Sequence, residues 1–135
     1  MTLAFSQNIR NQRLSVVSTA ADAGDGAALI RIYDGTRPPT GGQVTNLLAQ
    51  LEMSDPAFNA PANGSMTARA ITPEGSTPIG GTATWFRIVD SEGNFVLDGD
   101  VGLNGSNSEI ELSDVNILSN QEVRIATMII NDGNE

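Results

Sequence analysis

The chain has 135 residues, sixteen acidic and seven basic side chains, a formal charge of −9, and neither cysteine nor histidine. These counts exclude thiol chemistry, imidazole chemistry and any zinc site built from Cys and His. The acidity argues against binding to nucleic acid or to an anionic membrane, because both need a basic face.

The length predicts one domain, large enough to bury a core of its own. The first ten residues lack the basic and apolar regions of a signal peptide, and no apolar run approaches the roughly eighteen residues of a membrane span. We therefore expect a soluble protein made in the cytoplasm. All of its basic residues are arginines, which favours forked contacts with carboxylates at interfaces.

Residues 6–23 form the one segment with helical periodicity. Ser6 can serve as the N-cap and Gly24 as the C-cap. Helical spacing places four apolar residues on the predicted inner face: Ile9, Val16, Val17 and Ala20. Because this face is thin and rich in alanine, we expect the helix to depend on docking.

The rest of the chain shows the alternation of strands, which we predict at 28–33, 45–53, 65–71, 82–89, 95–101, 108–112 and 122–130. Residues 91–94 indicate a hairpin turn. Trp85 and Phe86 point to opposite faces of their strand, so we expect one in the core and the other beneath a helix or a second subunit. The last strand is apolar on both faces, which predicts a central or covered position.

About seven strands separated by Gly, Asn and Pro predict an all-β fold. We expect an antiparallel β-sandwich, Ig-like or jelly-roll-like, preceded by one N-terminal α-helix. The N-terminal arm and helix would occupy residues 1–26 and the sandwich residues 27–135, together forming one structural unit.

The stretch 32–43, IYDGTRPPTGGQ, crowds turn-forming residues around one arginine. A turn would follow the strand, Pro38 and Pro39 would stiffen an extended segment, and the glycines at 41–42 would let the chain re-enter the sheet. A rigid crossover between two sheets explains all of these residues except Arg37. We therefore predict that Arg37 makes a functional contact.

The irregular connection 53–64 carries Phe58 between two prolines. The ring can be an anchor of the loop in the core or an exposed contact residue. We favour the anchor, because the chain has only six aromatic residues to fill its core.

No residue pattern indicates catalysis. Ser and Thr nucleophiles lack a histidine or lysine base, and no motif brings two carboxylates together. Asp98 and Asp100 could begin a calcium site, but residues 101–103 interrupt the run of ligands, which favours ordinary turn chemistry. We expect a protein that is not an enzyme and has no cofactor or metal, with calcium at Asp98 and Asp100 as the alternative.

The stretches IYDGTRPPTGG and TATWFRIVDSEG, with the helical FSQNIRNQRLSVVSTA, resemble small virion structural proteins of tailed bacteriophages and prophages. The resemblance spans nearly the whole chain. It implies a capsid decoration or cement protein on the outer surface of the head, assembled in the host cytoplasm, whose partners are the major capsid protein and further copies of itself in a homotrimer.

In this interpretation the helix or the two long loops meet the shell. The candidate interface residues are Arg10, Arg13, Arg37, Pro38, Pro39 and Phe58. An alternative is a tail- or neck-associated β-module that binds a receptor or carbohydrate, which would require exposed aromatic side chains at loop tips.

Overall fold

The computed structural model describes residues 3–74 and 79–132. Within these ranges it contains one helix and nine strands. The elements are α1 Gln7–Ala21, β1 Leu29–Tyr33, β2 Leu47–Glu52, β3 Ser65–Thr67, β4 Gly81–Thr82, β5 Trp85–Val89, β6 Phe95–Leu103, β7 Ile110–Leu112, β8 Asn116–Ile117 and β9 Thr127–Asn131.

Seven strands form a mixed sheet in the order β2-β1-β5-β6-β7-β9-β3, and β4 pairs separately with β8. The all-β expectation is confirmed, and the architecture is consistent with a β-sandwich. The expectation of a purely antiparallel fold is wrong, because β6 and β7 run parallel. Only residues 104–109 connect these two strands, whereas parallel neighbours usually need a dozen or more.

Most of the predicted strands are shorter than their sequence patterns, and the segment 65–71 is a strand only over Ser65–Thr67. The segment 82–89 divides into β4 and β5, because Ala83 donates its amide to Val115 and Thr84 donates to Tyr33. The segment 122–130 becomes regular only at Thr127. The resulting β9 lies between β7 and β3, which confirms its predicted internal position.

One hydrophobic core joins the helix and both sheets. Its buried side chains include Leu14, Ile30, Ile32, Leu51, Met66, Phe86, Ile88, Ile110, Leu112, Ile117 and Met128. Phe86 lies opposite Gly99 on β6. A Cβ at Gly99 would come within 2.5 Å of the Phe86 ring, so this strand needs glycine to admit the aromatic side chain.

Helix α1 begins as predicted, but a different face packs on the core. The Ser6 hydroxyl accepts a hydrogen bond from the Ile9 amide at 3.2 Å, which confirms the N-cap. The buried residues are Leu14 and Ala21, whereas Val16 is 69 % exposed. Of the four predicted inner residues, Val17 packs against the core and is partly buried. The inner face is centred one residue, about 100°, away from the predicted one, because the large Leu14 side chain takes the core position.

The C-terminal end of α1 also differs from the prediction. Asp22, not Gly24, is the C-cap. Its carboxylate accepts a hydrogen bond from the Ala57 amide at 2.8 Å, which ties this end of the helix to the loop between β2 and β3.

The turn between β5 and β6 forms at the predicted position. The Asp90 carboxylate accepts hydrogen bonds from the amides of Glu92 and Asn94 at 2.9 Å. These bonds, chiefly those from Asn94, lower the pKa of Asp90. Gly93 takes a φ of +87°, as the turn requires.

Candidate functional site

The stretch around Arg37 lies within the β1–β2 loop, residues 34–46. Because β1 and β2 pair antiparallel, this loop is a long hairpin connection. The predicted crossover between two sheets is therefore wrong, although the predicted rigidity has a clear structural basis.

Hydrogen bonds close the base of the β1–β2 loop. The Asp34 carboxylate accepts from the Asn46 amide at 3.0 Å and from Asn46 Nδ2 at 3.1 Å. The Asp34 carbonyl accepts from the Thr45 hydroxyl, and the Gly35 carbonyl accepts from the Thr84 hydroxyl. The Asn46 bonds lower the pKa of Asp34, so the ionised carboxylate holds the two ends of the loop together.

Trp85 lies beneath the β1–β2 loop. Its ring stacks on Tyr33 with centroids 4.4 Å apart. Its indole Nε1 donates to the Asp34 carbonyl and to Thr45 Oγ1, each at 3.0 Å. The two neighbouring aromatics therefore divide as expected: Phe86 enters the core and Trp85 is covered, but its cover is a loop and not a helix or subunit.

A buried ion pair fixes the middle of the loop. Arg87 and Asp98 face each other across β5 and β6, with Nε to Oδ1 at 2.7 Å and Nη2 to Oδ2 at 3.0 Å. Arg87 also donates to the Gly42 carbonyl at 3.0 Å, and Asp98 accepts from the Gly41 amide at 3.1 Å. The bond to Asp98 raises the pKa of Arg87, so the pair stays charged and clamps the loop to the sheet.

The same two glycines form a tight turn. The Gly42 amide donates to the Pro39 carbonyl at 2.7 Å. Gly41 has a φ of +72°, which a type II turn requires at its third residue. The turn also brings Gly41 against the Phe95 ring, where an added Cβ would lie 3.5 Å away.

Arg37 is the loop residue whose charge remains accessible. Its Nη1 lies 3.4 Å from Asp100 Oδ1, and the side chains are 42 % and 57 % exposed. An exposed pair of this kind contributes about 0–1 kcal/mol. Arg37 can therefore exchange Asp100 for another carboxylate at little cost.

A groove runs beside Arg37, and we call it the β6 groove. Loop residues 37–40 form one wall and β6 residues 95–98 form the other, enclosing about 580 Å³. Phe95 is 42 % exposed at one end. The loop thus presents a rigid, partly apolar surface with one exchangeable cation.

The structure places Arg10 and Arg13 away from this groove, against the last described residues of the chain. Arg10 Nη1 donates to the Asp132 carbonyl at 3.2 Å, and Arg13 Nε lies 3.1 Å from Asp132 Oδ2. Arg13 also lies 4.8 Å from the centre of the Phe5 ring. Both arginines therefore fasten α1 to the end of β9.

Phe58 lies in the core and is 4 % exposed. The anchor interpretation is confirmed, and the ring offers no surface for a partner. Of the six candidate interface residues, the structure groups Arg37, Pro38 and Pro39 at one groove. The other three lie away from this groove.

Sequence reasoning missed Arg87, Asp98 and Phe95 as parts of the site. Counting outward from the hairpin turn would pair Arg87 with Leu97, but an irregularity between Ile88 and Val89 shifts the register by one residue. The available signal for this ion pair was that Arg87 and Asp98 carry opposite charges and lie close to facing positions on neighbouring strands.

Asp98 and Asp100, the alternative calcium ligands, are instead partners of arginines. In the part of the chain that the structure describes, no cluster of three or more carboxylates is arranged to hold a metal ion. None of the helical segments described there has the length and apolar character that crossing a membrane requires.

Comparisons with models of protein families, with curated proteins and with solved structures find no match to this chain.

Proposed function

We propose that this chain is a non-enzymatic virion structural protein of a tailed phage. It acts as a capsid decoration or cement protein that binds the outer surface of the head and bridges major capsid proteins. Its partners are the major capsid protein and further copies of itself in a homotrimer, assembled in the host cytoplasm.

The observation that carries the proposal is the preformed surface of the β1–β2 loop. Arg37, Pro38 and Pro39 stand beside a groove, in a loop that the Arg87–Asp98 clamp holds through Gly41 and Gly42. A surface that is rigid before binding loses little conformational entropy on contact. Such a surface suits a protein that must add to an assembled shell without rearranging.

The sequence resemblance concerns the same surface. The stretch IYDGTRPPTGG, which carries much of the resemblance to virion proteins, forms the end of β1 and the exposed part of the loop. The acidic charge of −9 supports the proposal in a second way, because mutual repulsion opposes aggregation of the protein before it meets the shell.

The finer fold assignment also belongs to this proposal. We place the chain among Ig-like or jelly-roll-like sandwiches, with the parallel β6–β7 pair as a local departure from either type. A compact sandwich presents its loops on the surface, where binding residues are most often found.

A second candidate is a tail- or neck-associated β-module that binds carbohydrate. Such a module requires exposed aromatic side chains, and Trp85 and Phe58 are buried. Phe95 is the observation that favours it, because this half-exposed ring lies in a groove with charged neighbours. Specific binding on a glycan array that is lost in Phe95→Ala would favour this candidate over the first.

The test of the first candidate is binding of purified protein to capsids that lack it. We expect Arg37→Ala to remain folded and to bind about tenfold more weakly, as loss of an interface arginine commonly does. Arg124→Ala is the matched control, because Arg124 also makes an exposed ion pair, at 3.2 Å from Glu122.

Failure of the unaltered protein to bind such capsids would refute the decoration function. If Arg37→Ala occupied capsids as fully as the unaltered protein does, the loop would have only a structural role within the domain.

A further inference from the structure

β6 has an open edge for half of its length. β5 pairs with its residues 95–100, whereas β7 pairs with Val101–Leu103 only. Along residues 95–98 no other described strand adjoins the side of β6 opposite β5. An unpaired strand edge offers amide and carbonyl groups to another extended chain.

The direction of these backbone groups follows from Asp100. Its amide donates to Glu109 Oε1 at 3.0 Å, on the side away from β5. Because hydrogen-bonding direction alternates along a strand, the amide and carbonyl of Asp98 point the same way. Glu109 occupies the edge beside Asp100, and the edge beside Asp98 opens into the β6 groove.

The opposite wall of the groove cannot close this edge. Pro38 and Pro39 have no amide hydrogen to donate, so this part of the loop cannot pair with β6 as a strand. The Arg87–Asp98 clamp and the Gly41 contact hold the wall in place. The groove therefore remains open and keeps its shape before any partner arrives.

We propose that the β6 groove binds an extended polypeptide segment, which adds to the sheet as a strand beside residues 95–98. Phe95 would receive an apolar side chain, and Arg37 would exchange Asp100 for a carboxylate of the segment. The proposal rests on the proposed function, because on the virion this segment would belong to the shell protein.

The charges of the site define the segment further. Phe95 and Asp100 both face the loop, because the irregularity in the β5–β6 register lets side chains five positions apart share a face. A regular extended segment has no such irregularity, so its apolar and acidic side chains should lie an even number of residues apart, roughly four or six, to face the loop together. Its other residues should be neutral or basic, because the surrounding protein is strongly acidic.

A random 12-residue peptide library, selected on the full-length protein, tests the groove without a capsid. We expect selected peptides to share one acidic and one apolar position at this spacing. Binding should weaken at least tenfold in Phe95→Ala and in Arg37→Ala, but not in the controls Leu103→Ala and Arg124→Ala. Absence of selected peptides, or binding unaffected by the first two variants, would overturn the proposal, as would glycan-array binding through Phe95.

Hydrogen exchange tests the strand geometry. The Asp98 amide should exchange at least tenfold more slowly when a selected peptide or the capsid is bound, whereas the Gly93 amide at the hairpin tip should not change. Capsid binding without protection of Asp98 would refute the strand site and leave the decoration function intact. Peptide binding with protection of the Asp98 amide, but without capsid binding, would support the strand site and refute the decoration function.

Discussion

The β1–β2 loop and helix α1 both lie on the surface of the same sheet, yet they are held in different ways. The loop has no regular secondary structure and is fixed by a buried ion pair and by hydrogen bonds to Trp85 and Asp34. The helix satisfies its own interior backbone, buries mainly Leu14 and Ala21, and is attached at its two ends by side-chain bonds of Arg10, Arg13 and Asp22.

This contrast shows that two surface elements of one fold can be held by different kinds of contact. A loop needs partners for its peptide groups, and those partners fix it. A helix satisfies its interior peptide groups itself, so only its side chains attach it to the rest of the fold. Each element should therefore respond to a different kind of substitution.

Removing the clamp should have the largest effect. Asp98→Ala leaves the Arg87 guanidinium buried and unpaired, since the Arg87 side chain is only 11 % exposed. We expect a loss of about 3 kcal/mol in the free energy of unfolding. Urea unfolding gives that loss, and red-shifted Trp85 emission in the folded state would report the displaced loop.

Two variants serve as controls for the clamp. Asp98→Asn keeps the shape of the side chain and removes its charge. Its free energy of unfolding should therefore lie between those of the unaltered protein and Asp98→Ala. Glu122→Ala breaks an exposed pair and should cost less than about 1 kcal/mol. Equal losses for Asp98→Ala and Glu122→Ala would contradict the clamp.

Truncating the helix contact should have a smaller and more local effect. Leu14 is 3 % exposed, so Leu14→Ala should cost about 2 kcal/mol. It should also speed amide exchange within α1 while leaving Trp85 emission unchanged. Val16→Ala, on the exposed face, should change neither the free energy of unfolding nor the exchange rates. If Val16→Ala cost more stability than Leu14→Ala, the helix face predicted from periodicity would be supported instead.

Acidification should have the smallest effect and should act on the loop. Hydrogen bonds lower the pKa of Asp34 in the folded state, so its contribution to stability is complete above the ordinary aspartate pKa of about 3.9. That contribution is lost as the pH falls through the folded value. The stability difference between the unaltered protein and Asp34→Asn should therefore shrink as the pH is lowered from 6 to 3, and a constant difference would contradict this role.

Local chemistry was readable from the sequence. The Ser6 cap and the turn after β5 both depend on residues within a few positions of each other. The rigidity of the loop was also readable, because Pro38 and Pro39 restrict the backbone wherever they occur.

Contacts between distant parts of the chain could not be predicted from the sequence. The face of α1 depends on the cavity that accepts Leu14, and the parallel β6–β7 pair depends on strands brought together by the whole sheet. The Arg87–Asp98 pair depends on a register shift of one residue that no local pattern announces. The β6 groove depends on that pair.

The sequence by itself therefore determined the strand-rich class, the turns, the helix start and the Arg37 loop as the segment of interest. These features follow from short-range sterics and hydrogen bonding. Only the tertiary structure decided that Phe58 is an anchor, that Trp85 lies under the loop, and that an open edge of β6 lies beside Arg37. Each of these depends on which distant residues share a surface, and sequence spacing does not carry that information.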